Sequence, residues 1–160
     1  MEASQVETTK QISVFFENKP GRLANVLSAL AREKVNLAAL SVMDSHEHSV
    51  LRMVPDSLPK TRQVMKDLSI PFAEADVMIV ELRHQPGALA HICELLAAEH
   101  VNIDYAYCSA GGKNGKTIGV FKVSNAEKSM RVLNESHNSL SRRRMGRRPI
   151  HTRPPNAPGR

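Results

Sequence analysis

Residues 15–23 of the chain read FFENKPGRL, and a similar stretch, VELRHQPGAL, follows at residues 80–89. In each, an apolar run typical of a strand meets a Pro-Gly pair, and apolar residues with helical spacing begin directly afterwards. A strand that turns into a helix at Pro-Gly twice in one chain predicts two copies of one small unit of strands and helices.

The two copies align at an offset of 66 residues, which is the separation of Gly21 and Gly87. Ten positions between residues 14 and 36 carry the same residue 66 places later, namely Val14, Pro20, Gly21, Leu23, Ala24, Leu30, Ala31, Glu33, Val35 and Asn36. These matches fall at the corner, on the apolar stripe of the helix and at the start of the next strand. They therefore predict an internal duplication.

The hydrophobic periodicity predicts the order βαββαβ in the first copy and βαββα in the second. The first copy gives strands at 11–17, 35–43, 49–54 and 70–76 with helices at 21–33 and 57–68; the second gives strands at 77–83, 101–109 and 117–123 with helices at 87–99 and 125–135. This order predicts an α+β fold of two tandem ferredoxin-like modules, with antiparallel sheets and the helices on one face. The predicted domains are residues 10–75 and 76–136, and the second module shows no fourth strand after its last helix.

The net charge of +6 belongs to the end of the chain. From Ser136 onward there are seven arginines and no acidic residue, so residues 1–135 hold 15 basic against 16 acidic side chains, a net charge of −1. Residues 137–160 are therefore predicted to be a basic, disordered tail. A near-neutral body with 4% aromatic residues argues against nucleic-acid binding by the modules themselves.

Each Pro-Gly corner has the chemistry of a small anion site. Proline suits the first turn of a helix, glycine allows close approach of a ligand, and the first-turn N–H groups carry the positive end of the helix dipole. Asn18 lies just before the corner, and we expect Asn36, which opens the next strand, to reach the same pocket. The alternative is that the corners, Asn36 and Asn102 are only turn residues.

The segments ENKPGRL with VNLAAL, and HQPGAL with VNIDYAY, resemble the ACT-domain family of amino-acid-binding regulatory modules. The first copy is most similar to the regulatory domain of phosphoglycerate dehydrogenase, and the arrangement over residues 10–135 resembles tandem ACT proteins. The resemblance implies that an amino acid binds at the interface of paired modules. It implies that Asn18 and Asn36 hold the ligand, and that backbone N–H groups of Gly21, Arg22 and Leu23 face its carboxylate.

The resemblance carries the predicted ligand site over to both copies. In the first it comprises Asn18, Lys19, Pro20, Gly21, Arg22, Leu23, Asn36 and Leu37. In the second it comprises His84, Gln85, Pro86, Gly87, Ala88, Leu89, Asn102 and Ile103. His84 stands where the first copy has Asn18, which leaves three alternatives for the second site: a different effector, pH-dependent binding or a purely structural role.

The sequence therefore predicts a cytoplasmic, non-catalytic sensor that binds an amino acid and forms a homodimer, with no cofactor. No nucleophile–base set, paired carboxylates or phosphate loop stands out. His46 and His48 are close in sequence, but we expect a solvated turn there and not a metal site. The rival hypothesis is a dimeric adaptor whose arginine-rich tail docks nucleic acid or an acidic protein partner.

Overall fold

The computed structural model describes residues 3–45, 48–83, 85–112 and 116–145. Within these ranges the elements are β1 (Ala3–Glu17), α1 (Arg22–Arg32), β2 (Leu37–Ser45), β3 (His48–Pro55), α2 (Leu58–Asp67), β4 (Phe72–Arg83), α3 (Ala88–Ala98), β5 (Ile103–Gly112), β6 (Lys116–Val123) and α4 (Ala126–Met145). Each predicted helix and strand has a counterpart among them.

All six strands belong to one antiparallel sheet with the order β2-β3-β1-β4-β6-β5. This confirms the predicted α+β, ferredoxin-like class. The two modules share the sheet, with β1 and β4 side by side at its centre. Because β1 and β4 run antiparallel, the two Pro-Gly corners that follow them lie at opposite ends of the sheet.

The strands predicted at 70–76 and 77–83 form one continuous strand, β4. Its first half, from Phe72, pairs with β1 as the fourth strand of the first module, and its second half, from Met78, pairs with β6 as the first strand of the second module. Apolar β-branched residues at the junction leave nothing to break the strand.

The start of β1 supplies the fourth strand of the second module. Residues 3–8 pair with Met78–Leu82 of β4, at the position that a strand after α4 would otherwise take. The predicted boundary at residue 10 was therefore wrong, since the sheet begins at Ala3. Strands β1 and β4 thus each contribute to the sheets of both modules.

Two apolar clusters separate the sheet from the helices, one for each module. The first gathers Ile12, Val14, Leu30, Leu51 and Met65, and the second gathers Met78, Val80, Leu96, Phe121 and Leu133, among others. Each contains side chains from two helices and from one face of the sheet, as the amphipathic patterns predict.

The opposite face of the sheet also has a core. Ala39, Val54, Val77, Ile79 and Val120 form a third buried cluster without any helix. The sheet curls around this cluster, so that its two edge strands, β2 and β5, approach each other. The concave face of the sheet is thus partly closed by the sheet itself.

Helix α4 is longer than predicted, because it continues through Met145. The prediction of a disordered tail from residue 137 was wrong for residues 137–145, where leucine, arginine and methionine are good helix formers. The remainder of the tail, residues 146–160, lies outside the described residues. No helix in the described ranges is long and apolar enough to span a membrane.

Candidate ligand groove at the first Pro-Gly corner

The glycine of each corner is required by the backbone. Gly21 and Gly87 occupy the N-cap positions of α1 and α3 with φ of 85° and 83°, in the left-handed region. Glycine adopts this conformation without the steric cost that other residues pay. Pro20 and Pro86 each precede the cap by one residue, so both prolines lie just outside the helices.

The first turn of α1 contains two amides that have no intrahelical carbonyl partner. The N–H group of Arg22 donates to the Lys19 carbonyl at 3.2 Å, and the Asn25 N–H donates to the Gly21 carbonyl at 2.9 Å. The N-cap residue Gly21 has no side chain with which to cap this turn. The amides of Leu23 and Ala24 are therefore the donors that face outward without an intrahelical carbonyl. The Arg22 N–H, which the resemblance assigned to a ligand carboxylate, is thus already hydrogen-bonded within the turn.

A groove of about 240 Å³ opens beside this turn. Strand β1, the start of α1 and the segment between α2 and β4 line it, through Phe15, Phe16, Glu17, Arg22, Asn25, Leu68, Ser69, Ile70 and Pro71. The hydrogen bond from the Phe15 N–H to the Pro71 carbonyl, at 3.1 Å, fixes two of these walls together. Pockets for drug-sized ligands span roughly 300–1,000 Å³, so this groove suits one small molecule.

The rim of the groove carries both signs of charge. The carboxylate of Glu17 lies 2.7 Å from the ammonium of Lys19 and 3.5 Å from the guanidinium of Arg22. The hydrogen bond from Lys19, then its charge and that of Arg22, hold the pKa of Glu17 below its usual value. All three side chains are more than half exposed, so a ligand can exchange with these pairs at little cost.

Asn18 and Asn36 do not meet within one module, contrary to prediction. Strand β1 ends at Glu17, which pairs with His48, the first residue of β3. Leu37, the first residue of β2, pairs with Pro55, the last residue of β3. Helix α1 separates the two asparagines, and its 11 residues span about 16 Å.

Asn36 and Asn102 serve the turns at the helix-to-strand junctions. The Asn36 N–H donates to Asp56 Oδ1, and the Asn102 N–H donates to Ser124 Oγ, both at 3.0 Å. Asn102 Nδ2 also donates to Asp104 Oδ1 at 2.9 Å. The neighbouring Leu37 and Ile103 pack against the helix-side clusters. These bonds involve the backbone of Asn36 and both the backbone and the side chain of Asn102, as a turn role requires.

The second corner differs chemically from the first. Gln85, Pro86 and Gly87 are exposed, and His84 lies outside the described residues. At the offset of 66 residues, Arg22 corresponds to Ala88, which is buried. Asn25 corresponds to His91, whose Nε2 is buried without a partner in the described part of the chain. The next residue of the corner, Leu89, is 42% exposed. The cation of the first groove is thus absent at this position.

Sequence reasoning missed Glu17, Asn25 and the segment from Leu68 to Pro71. The repeat itself gave a hint, since the first copy has Glu17 and Asn25 where the second has Arg83 and His91. Long-range packing brings the α2–β4 segment to the corner, and no local pattern predicts it. No group of His, Cys, Asp and Glu that could hold a metal occurs among the described residues. His46 lies outside those residues.

Comparisons with known proteins agree with this architecture. Residues 7–142 match the family model described as ACT domain pair. Protein BT0572 from Bacteroides thetaiotaomicron is 35% identical, with a TM-score of 0.75 over 82% of this chain and 90% of that one. A search of curated proteins gives no match.

Two structures of low identity share the fold. The ligand-free regulatory subunit of aspartate kinase from Thermus thermophilus has 13% identity and a TM-score of 0.59, with 83% of this chain and 97% of that chain covered. The regulatory subunit of aspartate kinase from Thermus flavus has 16% identity and a TM-score of 0.57, with 84% and 98% covered.

Proposed function

Because the chain belongs to the ACT domain pair family, we propose that it is a regulatory protein that binds a free amino acid and has no catalytic activity of its own. The aspartate kinase subunits that share its fold are regulatory by their names, which supports this assignment. We place the protein in the cytoplasm, where free amino acids are sensed. It needs no cofactor for this role.

The groove at the first corner carries the proposal. A free amino acid has a carboxylate and an ammonium group, and the rim of this groove offers a partner for each. Arg22 and the first-turn N–H groups of α1 suit the carboxylate, since both a guanidinium and a helix N-terminus favour anions. Glu17 suits the ammonium, and its lowered pKa keeps it charged at neutral pH.

The apolar residues of the groove support a ligand with an apolar side chain. Phe15, Phe16, Leu68, Ile70 and Pro71 contribute to its lining, and Asn25 and Ser69 are its uncharged polar members. Burial of apolar ligand surface against these apolar residues stabilises the complex by about 25 cal/mol per Å². A small aliphatic amino acid therefore fits better than a charged one.

We further propose that the protein is a homodimer formed through the edge strand β2. Leu40, Val42 and Met43 of this strand are 44%, 43% and 50% exposed, and Leu37–Met43 carries no charge. Natural proteins rarely leave such an edge uncovered. The equivalent positions of the other edge strand, β5, hold Ala106, Cys108 and Ser109.

This pairing also gives Asn36 a place near the ligand. Two β2 strands that pair antiparallel across a two-fold axis place the Asn36 end of one copy beside the Ser45 end of the other. The first Pro-Gly corner lies at the Ser45 end of β2, because Glu17 and Ser45 both pair with His48. The expected role of Asn36 in ligand binding thus requires the second copy. The ligand then acts by favouring one orientation of the paired modules, which a regulated protein partner recognises.

Substitution of Arg22 tests the groove directly. Arg22→Ala removes the charge-assisted hydrogen bond to the ligand carboxylate, so affinity should fall on the order of tenfold or more in calorimetric titration. Arg32→Ala, in the last turn of the same helix, is the matched control and should bind as the wild type does. Equal affinity of Arg22→Ala and Arg32→Ala would place the ligand elsewhere.

The continuation of α4 keeps the adaptor alternative open for the tail. Arg142, Arg143 and Arg144 lie within α4, so part of the arginine-rich segment is helical. Substituting these three and Arg147 and Arg148 with glutamine should leave amino-acid binding intact. Loss of retention on RNA or on an acidic protein in that variant would assign a second activity to the tail.

A further inference from the structure

A row of side chains on β1 leads from the groove to the buried side of the sheet. Phe15, Ser13 and Gln11 alternate with the core residues of β1 and therefore share its concave face. Phe15 lines the groove and is 41% exposed, whereas Gln11 is completely buried. The row thus joins the surface of the first module to the interior of the curled sheet.

Gln11 fastens the second module's edge strand to the first module. Its Nε2 donates to Ser13 Oγ at 3.1 Å and to Tyr105 Oη at 2.8 Å. Its Oε1 accepts a hydrogen bond from Tyr107 Oη at 2.9 Å. Tyr105 and Tyr107 both lie on β5, so one buried amide holds two positions of that strand.

Arg52 of β3 adds a fourth contact. Its guanidinium lies 4.2 Å from the centre of the Tyr105 ring, within the range of a cation–π interaction. Arg52 pairs with Ser13 in the register of β1 and β3, so it belongs to the same face and level of the sheet. We call Gln11, Ser13, Arg52, Tyr105 and Tyr107 the tyrosine clasp.

The clasp is suited to open and close as a unit. Strand β5 is an edge strand with β6 as its neighbour in the sheet, and edge elements are among the first to open locally. When β5 withdraws, Gln11 loses two hydrogen-bond partners at once, and a buried amide without partners is costly. The Tyr107 hydroxyl is protonated at neutral pH and can donate to Gln11, and burial raises its pKa further above its usual value.

We propose that the tyrosine clasp couples the first groove to the edge strand β5 of the second module. A ligand that packs against Phe15 restrains β1, which holds Ser13 and Gln11 in place and keeps the clasp closed. An open clasp loosens β1 and lowers the affinity of the groove by the same factor, because coupling is reciprocal. The ligand part of this inference rests on the proposed function, whereas the coupling between the two regions does not.

Hydrogen exchange of the ligand-free protein tests the coupling. Gln11→Leu replaces the amide with an apolar side chain of similar size and so removes every hydrogen bond that the amide makes. We expect exchange at least tenfold faster both in residues 103–109 of β5 and in residues 15–25 and 68–72 around the groove. Gln63→Leu, an exposed glutamine on α2, should change neither region.

The tyrosines provide a second signal for the same variants. The chain has two tyrosines and no tryptophan, so its intrinsic emission reports on the clasp alone.

Tyr107→Phe removes one hydrogen bond and should give a smaller change in hydrogen exchange in the same two regions. This variant preserves the test if Gln11→Leu fails to fold. Faster exchange confined to β5 in either variant would overturn the coupling.

The amino acid found to bind the wild type completes the test. Binding of this amino acid should slow hydrogen exchange in β5 and change tyrosine emission in the wild type. Its affinity for Gln11→Leu should be at least about fivefold lower than its affinity for the wild type. Binding that protects the groove but leaves β5 unchanged overturns the coupling and leaves the sensor function intact. If no amino acid binds, the proposed function fails, and the exchange pattern of the ligand-free variants decides the coupling alone.

Discussion

Gly21 allows the chain to turn from β1 into α1 because of its backbone conformation. Its φ of 85° is left-handed, and a Cβ placed on it would meet no atom within 4 Å. The need for glycine is therefore conformational, since the space around it is open. Glycine was expected at the corner because a ligand can approach it closely, whereas the structure shows that the backbone angle requires it.

The replacement Gly21→Ala tests this reading. Alanine in the left-handed region costs about 1–2 kcal/mol, so the free energy of unfolding should fall by about that amount in chemical denaturation. Gly21→Asn should cost less, because asparagine tolerates this conformation. Equal losses for the two variants would show that a clash, and not the backbone angle, selects glycine.

At the level of elements, local patterns predicted more than long-range pairings did. Apart from the C-terminal end of α4, the helices and the strands with alternating apolar residues were predicted within a few residues, because their periodicity reports directly on burial. The strand at residues 3–10 was missed, since its sequence, ASQVETTK, contains a single large aliphatic residue, Val6, and its partner, β4, lies about 75 residues away in sequence. Pairing at that distance leaves no local signature.

Val6 is the residue through which this strand supports the second module. It is 9% exposed and packs in the second module's cluster with Met78 and Val80. Val6→Asp places a charge in that cluster and should destabilise the protein by several kcal/mol, with the largest gain in hydrogen exchange in β4 and β6. Glu7→Ala, at the next and exposed position, is the control.

A different outcome would change the assignment of this strand. If Val6→Asp and Glu7→Ala unfold at the same denaturant concentration, residues 3–8 do not complete the second module. The second module would then be stable with β4 as its sheet edge.

At the scale of the whole molecule, the shared sheet explains why the site was only partly predictable. The corner, the helix that follows it and the apolar stripe were visible in the repeat. The separation of Asn18 from Asn36 follows from strand order and direction, which spacing along the chain does not reveal. The α2–β4 segment reaches the groove only through the packing of the complete module.

The homodimer prediction belongs to this scale. Val42→Lys puts a charge at the exposed edge of β2, which should disfavour strand pairing and yield monomers in sedimentation velocity experiments. Cys108→Lys, at the equivalent position of β5, is the matched control and should leave the oligomeric state unchanged. A Val42→Lys variant that sediments as the wild type does would exclude β2 as the interface.

The central claim is that the protein binds a free amino acid, and a thermal-unfolding screen against the twenty amino acids tests it most directly. A ligand at about a hundred times its Kd stabilises the native state by about 2.7 kcal/mol. For a chain of this size that raises Tm by roughly 5–10 °C. We predict such a shift for one or a few small aliphatic amino acids, reduced in Arg22→Ala and retained in Arg32→Ala. No shift with any amino acid at millimolar concentration would contradict the sensor function.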